Sequence, residues 1–498
     1  MGRGIPGGKA YLDRPVDLRV TDGMVTEVGS DLPLEQTDDV INALGRWALP
    51  GLWDHHVHLT SWAGSRAMLD LAGTTGPEDV TRRVREHLNR SGVRPQLMSG
   101  FGYRSAPWSR VGTVAELDAV SGDVPVVLTA GDGHNGWLNS AALGQLGLRG
   151  VAGPVTENDW FALQPAIAGL SDELQSAADR NAALEAALRE AVARGVTGIV
   201  DLEMPTSYSQ WPERFAAGLD LMRVRASVYP SGLEDVLAAG IRTGDLLAPG
   251  SELLTMGPLK IISDGSLNTR TAACCEPYAG SEGLDFPSGK QNYDLDELID
   301  LLSRATAGGL EVALHAIGDL AVDVALKAFE ATGAEGSIEH AQLLRREDIP
   351  RMARLGVRAS VQPAHLLDDR DVTMQCWPDR ADRCFPLRSL LEAGVELALG
   401  SDAPVAPLDP WLAMAAAVHR SADERDPWNP SESLSAEQAV AASTDGQATL
   451  QVGSRGDLVL LDANPLAPAA DTAEAAGRLR EMTVAATIID GRPVYSAL

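Results

Sequence analysis

Two histidines two residues apart, His56 and His58, stand in the segment LPGLWDHHVHL. On a strand, residues i and i+2 point to the same face, so the two imidazoles could chelate one divalent ion. An isolated His-x-His is more often a pair of polar residues at a turn. Here the pair follows Pro50, Gly51 and Asp54 at the end of an apolar strand, which favours metal ligation. His55 faces the other way and is not assigned as a ligand. A second signal is Lys260. Lysine occurs only at positions 9, 260, 290 and 327, while arginine is abundant. Lys260 nevertheless lies inside the apolar segment GPLKIISDG, and a buried lysine without a partner is costly. Either it forms an internal ion pair with Asp264, or its amine loses a proton and reacts with carbon dioxide to give a carbamate. A carbamate is anionic and bidentate, and can bridge two cations. Three further apolar segments run directly into ligand-type residues: His315 in EVALHAIGD, His340 in GSIEHAQ and Asp402 in LALGSDAP. Each alone would more often be a satisfied polar group at a rim. The recurrence of one pattern is what makes a chance origin improbable.

The elements that must position these residues are legible in the pattern. From about residue 50 to 450, short apolar segments (TGIVDLE, VRASVYP, GPLKIISDG, EVALHAIGD, GSIEHAQ, VRASVQPAH, VELALGSDAP) alternate with amphipathic ones such as DLDELIDLLSRATAGG, LAVDVALKAFEATG and REDIPRMARLG. Repeated strand–helix units imply a parallel sheet. Eight units close into a (β/α)8 TIM-type barrel of typically about 250 residues, whose C-terminal strand ends share one catalytic face. The middle of the chain is longer than that, so an insertion is expected at about residues 60–160, a stretch rich in Gly, Trp and turn residues. The Ala-rich stretch at residues 171–195 reads as a helix packed on the barrel. Both ends carry hairpin signatures, with alternating residues around Asp22-Gly23 and Asp490-Gly491. The expected organisation is α/β. Residues 1–49 and 450–498 jointly build a small β-sandwich domain, and residues 50–449 form the barrel.

The formal net charge of −28 argues against nucleic acid and anionic lipid as partners. It does not specify a cationic substrate. No apolar run approaches the ~18 residues of a membrane span, and the N-terminus lacks the ~7–15-residue apolar core of a signal peptide. A cytoplasmic protein acting on a small molecule is expected, with a homodimer as its assembly. Cys274, Cys275, Cys376 and Cys384 include no C-x-x-C pair, which argues against a thiolate zinc site; Cys274 and Cys275 read as ordinary buried thiols. There is no Walker loop and no G-x-S-x-G elbow, and GRGIPGG is not preceded by a strand, so it is not a dinucleotide fingerprint.

The chain resembles the amidohydrolase superfamily, specifically amidohydrolase family 3, the YtcJ-like metal-dependent hydrolases. The likeness runs nearly end to end, through LPGLWDHHVHL, PVVLTAGDGHNGWLNSAAL, KIISDGSLNTRTA, LHAIGD, IEHAQLL, SVQPAHLLDD and LRSLLEAGVELALGSDAPVAPLDPW. It implies six metal ligands, His56, His58, Lys260, His315, His340 and Asp402. In the family's arrangement His56, His58 and Asp402 hold one ion, His315 and His340 a second, and carbamylated Lys260 bridges them. Histidine and carboxylate donors suit Zn2+ and also accept other first-row metals. The implied activity is hydrolysis of a non-peptide C–N bond (amide, N-acyl or N-formyl) by a metal-bound hydroxide, with Asp402 moving the proton. His134 resembles a family position near the substrate, a structural loop histidine being the alternative. Asp264, Arg270, Gln362 and His365 are further substrate-side candidates; the last two end another candidate strand. His87 and His419 read as structural. Two departures stand out: LQVGSRGDLVLLD is a shortened approach to the final strands, and Asn268 replaces a glycine in the loop after Lys260. A mononuclear deaminase would lack the bridging lysine, and a non-catalytic scaffold would have lost ligands. A lactone or ester hydrolase would need the same site.

Overall fold

The computed structural model describes residues 15–35, 39–90, 95–174, 176–205, 207–423, 425–447 and 449–498. The GRGIPGG segment and Lys9 lie outside them. Eight apolar segments form parallel strands: β1 (Leu52–Val57), β2 (Val196–Asp201), β3 (Arg223–Val228), β4 (Leu254–Ile262), β5 (Val312–Ala316), β6 (Gly336–His340), β7 (Arg358–Val361) and β8 (Leu397–Leu399). They pair in sequence order. The register sets Ile262 beside His315 and Ala316 beside His340. Just beyond β8 the chain returns to β1. Asp402 N–H donates to His56 O at 2.7 Å, His58 N–H donates to Ala403 O at 2.9 Å, and Val57 bridges Ala403. These bonds close the barrel.

Strands enclosed on both faces must be apolar on both, and β2, β5, β6 and β8 are buried throughout. Helices cover the outside. Leu295–Gly308 starts at a reciprocal Asp294–Glu297 capping box and ends at Gly309 with φ 76°. Its Leu298 and Leu302 join Val322 and Leu326 of helix Asp319–Thr332 in the main core. The Ala-rich helix runs Ala177–Ala193 and buries Leu184, Leu188 and Val192 with Val196 and Ile199 of β2. Cys274, Cys376 and Cys384 are buried, but Cys275 is exposed, contrary to the expectation for the adjacent pair. No helix among the described residues is long and apolar enough to cross a membrane.

Both ends of the chain build the small β-sandwich domain. Its four-stranded antiparallel sheet takes Trp47–Pro50 from before the barrel and Leu458–Leu461, Val484–Ile489 and Arg492–Ser496 from after it. A separate hairpin, Asp17–Thr21 with Met24–Gly29, turns at Asp22 and Gly23 with φ 49° and 71°, the double positive φ of a tight hairpin turn. Val25 exchanges backbone hydrogen bonds with Ser454 and Gly453, both at 2.8 Å, which ties the hairpin to the C-terminal segment. At the barrel floor, the Trp53 ring has the Arg225 guanidinium 4.2 Å and the Arg455 guanidinium 5.6 Å from its centre. Asp445 accepts from both Nη atoms of Arg225, at 2.8 and 2.7 Å. Between β1 and β2 the chain forms a further five-stranded sheet, Leu69–Asp70, Met98–Tyr103, Val126–Ala130, Asn135–Leu138 and Val155–Thr156. It has a core of its own around Leu71, Val84, Leu128 and Trp137.

Gly400 stands at the barrel seam, where an added Cβ would lie 2.7 Å from His56 N and 2.9 Å from His56 Cβ. The obstruction is backbone, which cannot rotate away. Gly400→Ala is therefore expected to lower stability by about 1–3 kcal/mol, the usual cost of overpacking, read as a lower urea midpoint. An unchanged midpoint would show that the seam is looser than described.

Candidate metal centre

The closing bonds between β1 and the segment after β8 bring His56, His58 and Asp402 together. Asp402 Oδ1 lies 3.4 Å from His56 Nε2 and 3.3 Å from His58 Nε2. Lys260 Nζ is 3.5 Å from His56 Nε2. The other ring nitrogen of His56, Nδ1, is 2.7 Å from Glu339 Oε2, with the Gln362 amide 3.3 Å away. Burial, reinforced by Lys260, lowers the His56 pKa to about 4. Burial alone would raise Glu339, but the His56 hydrogen bond and charge bring it down to about 2. A neutral imidazole whose Nδ1–H donates a hydrogen bond to a carboxylate presents its Nε2 lone pair on its other side.

Three more imidazoles crowd the same space. The His340 ring centre is 4.6 Å from that of His315, 5.1 Å from His56 and 5.9 Å from His365. His315 Nδ1 lies 2.9 Å from Asp264 Oδ1, off line for a hydrogen bond. His315 Nε2, His340 Nδ1 and His365 Nε2 are buried without a hydrogen-bond partner among the described residues. Burial, with His315 adding to it, holds His340 well below the ordinary histidine pKa. Burial also lowers Lys260, which is 1 % exposed. Asp402 is pulled the other way. Burial raises it, yet His56, His58 and His340 hold it well below the carboxylate range. Buried polar atoms are normally paired, so convergent unpaired nitrogens around one carboxylate fit a cation. His56, His58 and Asp402 form one three-atom ligand group, and His340, His365 and Asp402 another.

The predicted residues fall at graded distances from this centre. His56, His58, Lys260, His315, His340 and Asp402 converge on it. The ion pair between Lys260 and Asp264 does not form: Asp264 accepts from the backbone N–H groups of Ala273, Ile317 and Gly318, at 2.9–3.1 Å. Asp264 thus braces the loop behind His315. His55 points to the floor, its Nε2 3.8 Å from Asp445. His134 reaches in from the inserted segment, its ring centre 5.7 Å from that of His315. Its Nδ1 is 3.0 Å from Glu157 Oε2, and although burial lowers it, Glu157 raises its pKa to about 9. Glu157 Oε1 also accepts from Thr269 and Thr271, at 2.7 and 2.5 Å. This pins the insertion to the loop after Lys260. Arg270, at φ 56°, lies at the edge of that loop, half-buried. Gln362 follows β7 and reaches His56, while His365 does not end a strand but opens the helix His365–Cys376. His87 and His419 lie in helices, His419 within 3.1 Å of Thr472 Oγ1. Glu339 and Glu157 escape a reading of the sequence. The available signal for Glu339 was an acidic residue in mid-strand, directly before a candidate ligand.

A profile of the amidohydrolase family matches residues 39–495. The chain belongs to the amidohydrolase family. It is 29% identical to YtcJ of Bacillus subtilis over 97% of this chain and 96% of that protein. It is 26% identical to the N-substituted formamide deformylase of Arthrobacter pascens over 95% of this chain and 93% of that protein. A solved uncharacterized metal-dependent hydrolase from Pyrococcus horikoshii superposes with a TM-score of 0.72, at 26% identity over 91% of this chain and 94% of that one. Relatives and donor set agree on a metal-dependent hydrolase using a divalent metal.

The Glu339–His56 contact generates a prediction for this amidohydrolase. Outer partners that orient a ligating histidine typically change metal affinity by about 10–100-fold. Glu339→Gln should weaken divalent-metal binding by that factor in a chelator-competition titration, with the fold intact by circular dichroism. Unaltered affinity would mean that Glu339 only fills space.

Proposed function

We propose that this amidohydrolase cleaves a carbon–nitrogen bond other than a peptide bond, in an amide, N-acyl or N-formyl substrate, at a pair of zinc ions. The observation that carries the reading is Lys260. It is a buried amine whose one hydrogen-bond-range neighbour among the described residues is an imidazole nitrogen, in a space lined by ligand-type side chains. A free ammonium is poorly solvated there. Attack of the neutral amine on the carbon of CO2 forms an N–C bond, releases one proton and leaves an anion with two oxygens. His56, His58 and Asp402 would hold one ion, His315 and His340 the other, and the Lys260 carbamate would join them. When bound, such a pair lowers the pKa of water and polarises a carbonyl. The chain's own groups do the rest. Asp402, anchored by its backbone in the seam, takes the proton from the attacking water at its carboxylate and returns it to the departing nitrogen. Glu339 keeps the His56 imidazole oriented, and Asp264 braces the loop behind His315. His134, charged and braced by Glu157, offers a donor to a substrate oxygen at the edge of the pocket, and Arg270 lines the same side. The N-formyl class draws support from the likeness to the formamide deformylase. The donor set serves ester or lactone cleavage equally well, so a screen of N-formyl, N-acyl, cyclic amide and lactone substrates decides the bond. No turnover of any C–N substrate would defeat the proposal.

Elemental analysis of undialysed protein purified with metal and bicarbonate is expected to give about two divalent ions per chain; none would remove the basis of the reading. His56→Ala should abolish hydrolysis and lower metal occupancy while the barrel still folds, because groups on the catalytic face serve chemistry more than stability.

Lys260→Ala should lose most activity and regain part of it with added formate or acetate, which can occupy the vacated bridge. Lys260→Arg should not be rescued, since a guanidinium fills the space with the wrong charge. An active Lys260→Arg beside an inert, unrescued Lys260→Ala would show that the residue acts as a cation.

A further inference from the structure

We infer that His365 is itself a metal ligand, so that an ion on the His340 side of the centre is held by His340, His365 and Asp402. The inference rests on the metal-dependent reading above. It adds to that reading a residue that follows β7, a strand that contributes none of the six ligands proposed there.

His365 opens a twelve-residue helix immediately after β7, and its backbone N–H donates to Gln362 O at 3.0 Å. That bond fixes the short turn from which the imidazole projects. The residue is 7 % exposed, and its Nε2 is buried with no hydrogen-bond partner among the described residues. Asp402 Oδ2 is 3.8 Å away. This is too far for a hydrogen bond but close to the roughly 3.3–3.5 Å that separates two ligand atoms on a tetrahedral ion with bonds of about 2.0–2.1 Å. One ligand atom each from His340, His365 and Asp402 lies within 4.8 Å of the others. The His365 ring stacks on His340 at 5.9 Å and 25°. Asp402 thus faces two imidazole sets, with Oδ1 toward His56 and His58 and Oδ2 toward His365. Asp369, another carboxylate on the same helix, accepts from Gln342 Nε2 at 3.0 Å and so is engaged elsewhere. The unpaired His365 Nε2 thus stands 3.8 Å from the same carboxylate that His56 Nε2 and His58 Nε2 approach to 3.4 and 3.3 Å.

The test compares the intact protein with His365→Gln and His365→Ala, using Zn2+ alone as the probe. Affinity is read by chelator competition, stoichiometry by elemental analysis, and coordination by the visible spectrum of Co2+-loaded protein. Thermal melts of the metal-free proteins verify the fold, and glutamine keeps the bulk and polarity of the site should alanine disturb it. The expected result is a loss of affinity for the affected ion of more than about 100-fold in both variants, beyond the 10- to 100-fold range of an outer partner, with altered Co2+ bands. A loss of 100-fold or less with unaltered Co2+ bands overturns the inference. With a raised KM, that outcome places His365 on the substrate; with a lost limb in the pH–rate profile, it makes His365 a proton carrier. The two levels of failure separate cleanly. An unsubstituted protein that binds no divalent ion fails the functional reading, whereas equal binding by the unsubstituted and substituted proteins fails only the role of His365.

Discussion

The two backbone hydrogen bonds that join His56 and His58 to Asp402 and Ala403 are the constraint on which the rest depends. They close the barrel, and they do so through residues proposed as metal ligands. Barrel closure and assembly of the candidate metal centre are therefore one structural event. Non-glycine residues sit there in the left-handed region, with φ 57° at Asp402 and 70° at His340. Such conformations cost about 1–3 kcal/mol each and persist only where the surroundings over-determine them. The surroundings here are the seam itself, the β5–β6 register, and Asp54, whose carboxylate accepts from His56 N–H at 3.1 Å and Ser401 N–H at 2.9 Å.

Electrostatics follow from that packing. Dry surroundings favour neutral imidazoles and a neutral amine, and the carboxylates near them keep their charge only by hydrogen bonding or charge pairing. Glu339 does so through His56 and Ser337, while the Asp264 carboxylate accepts from three backbone N–H groups. The centre consists of lone pairs aimed inward and anions braced outward, a distribution suited to a divalent cation and poorly suited to an apolar ligand. Over its mouth the inserted sheet delivers a charged His134, held by Glu157 to Thr269 and Thr271. The loop after Lys260 and the insertion are thus positioned as one unit.

Much of this was legible in the chain. The segments ending in His315, His340 and Asp402 became β5, β6 and the exit of β8 because apolar runs between amphipathic helices have few other ways to be buried. The terminal hairpins were legible because Asp-Gly supplies two positive φ angles in sequence. The misread parts have physical causes. Of the two alternatives for Lys260, the ion pair with Asp264 does not form because Asp264 lies past the strand end, where backbone N–H groups take it. Glu339 was hidden by strand alternation: it should oppose His340, yet its carboxylate meets His56 while the His340 ring lies 5.1 Å from that of His56. His365 read as a strand end because an apolar run leads to it; the turn at Pro363 and Ala364 starts a helix instead. The five-stranded sheet of the insertion left no regular period, since its strands are short and change from parallel to antiparallel.

The small sheet built from both ends has a consequence for how the molecule comes into being. Trp47–Pro50 is an edge strand of that sheet, and its partner, Leu458–Leu461, is made about 400 residues later. At the ~5–20 residues per second of synthesis, that is a wait of roughly 20–80 s. Through that interval β1 also lacks the neighbour that closes the ring. A nascent chain must therefore carry an unpaired strand edge while those intervening residues are made. The insertion that follows β1 at once, with a core of its own, is the first part able to fold beside that edge while the remaining strands are still being made.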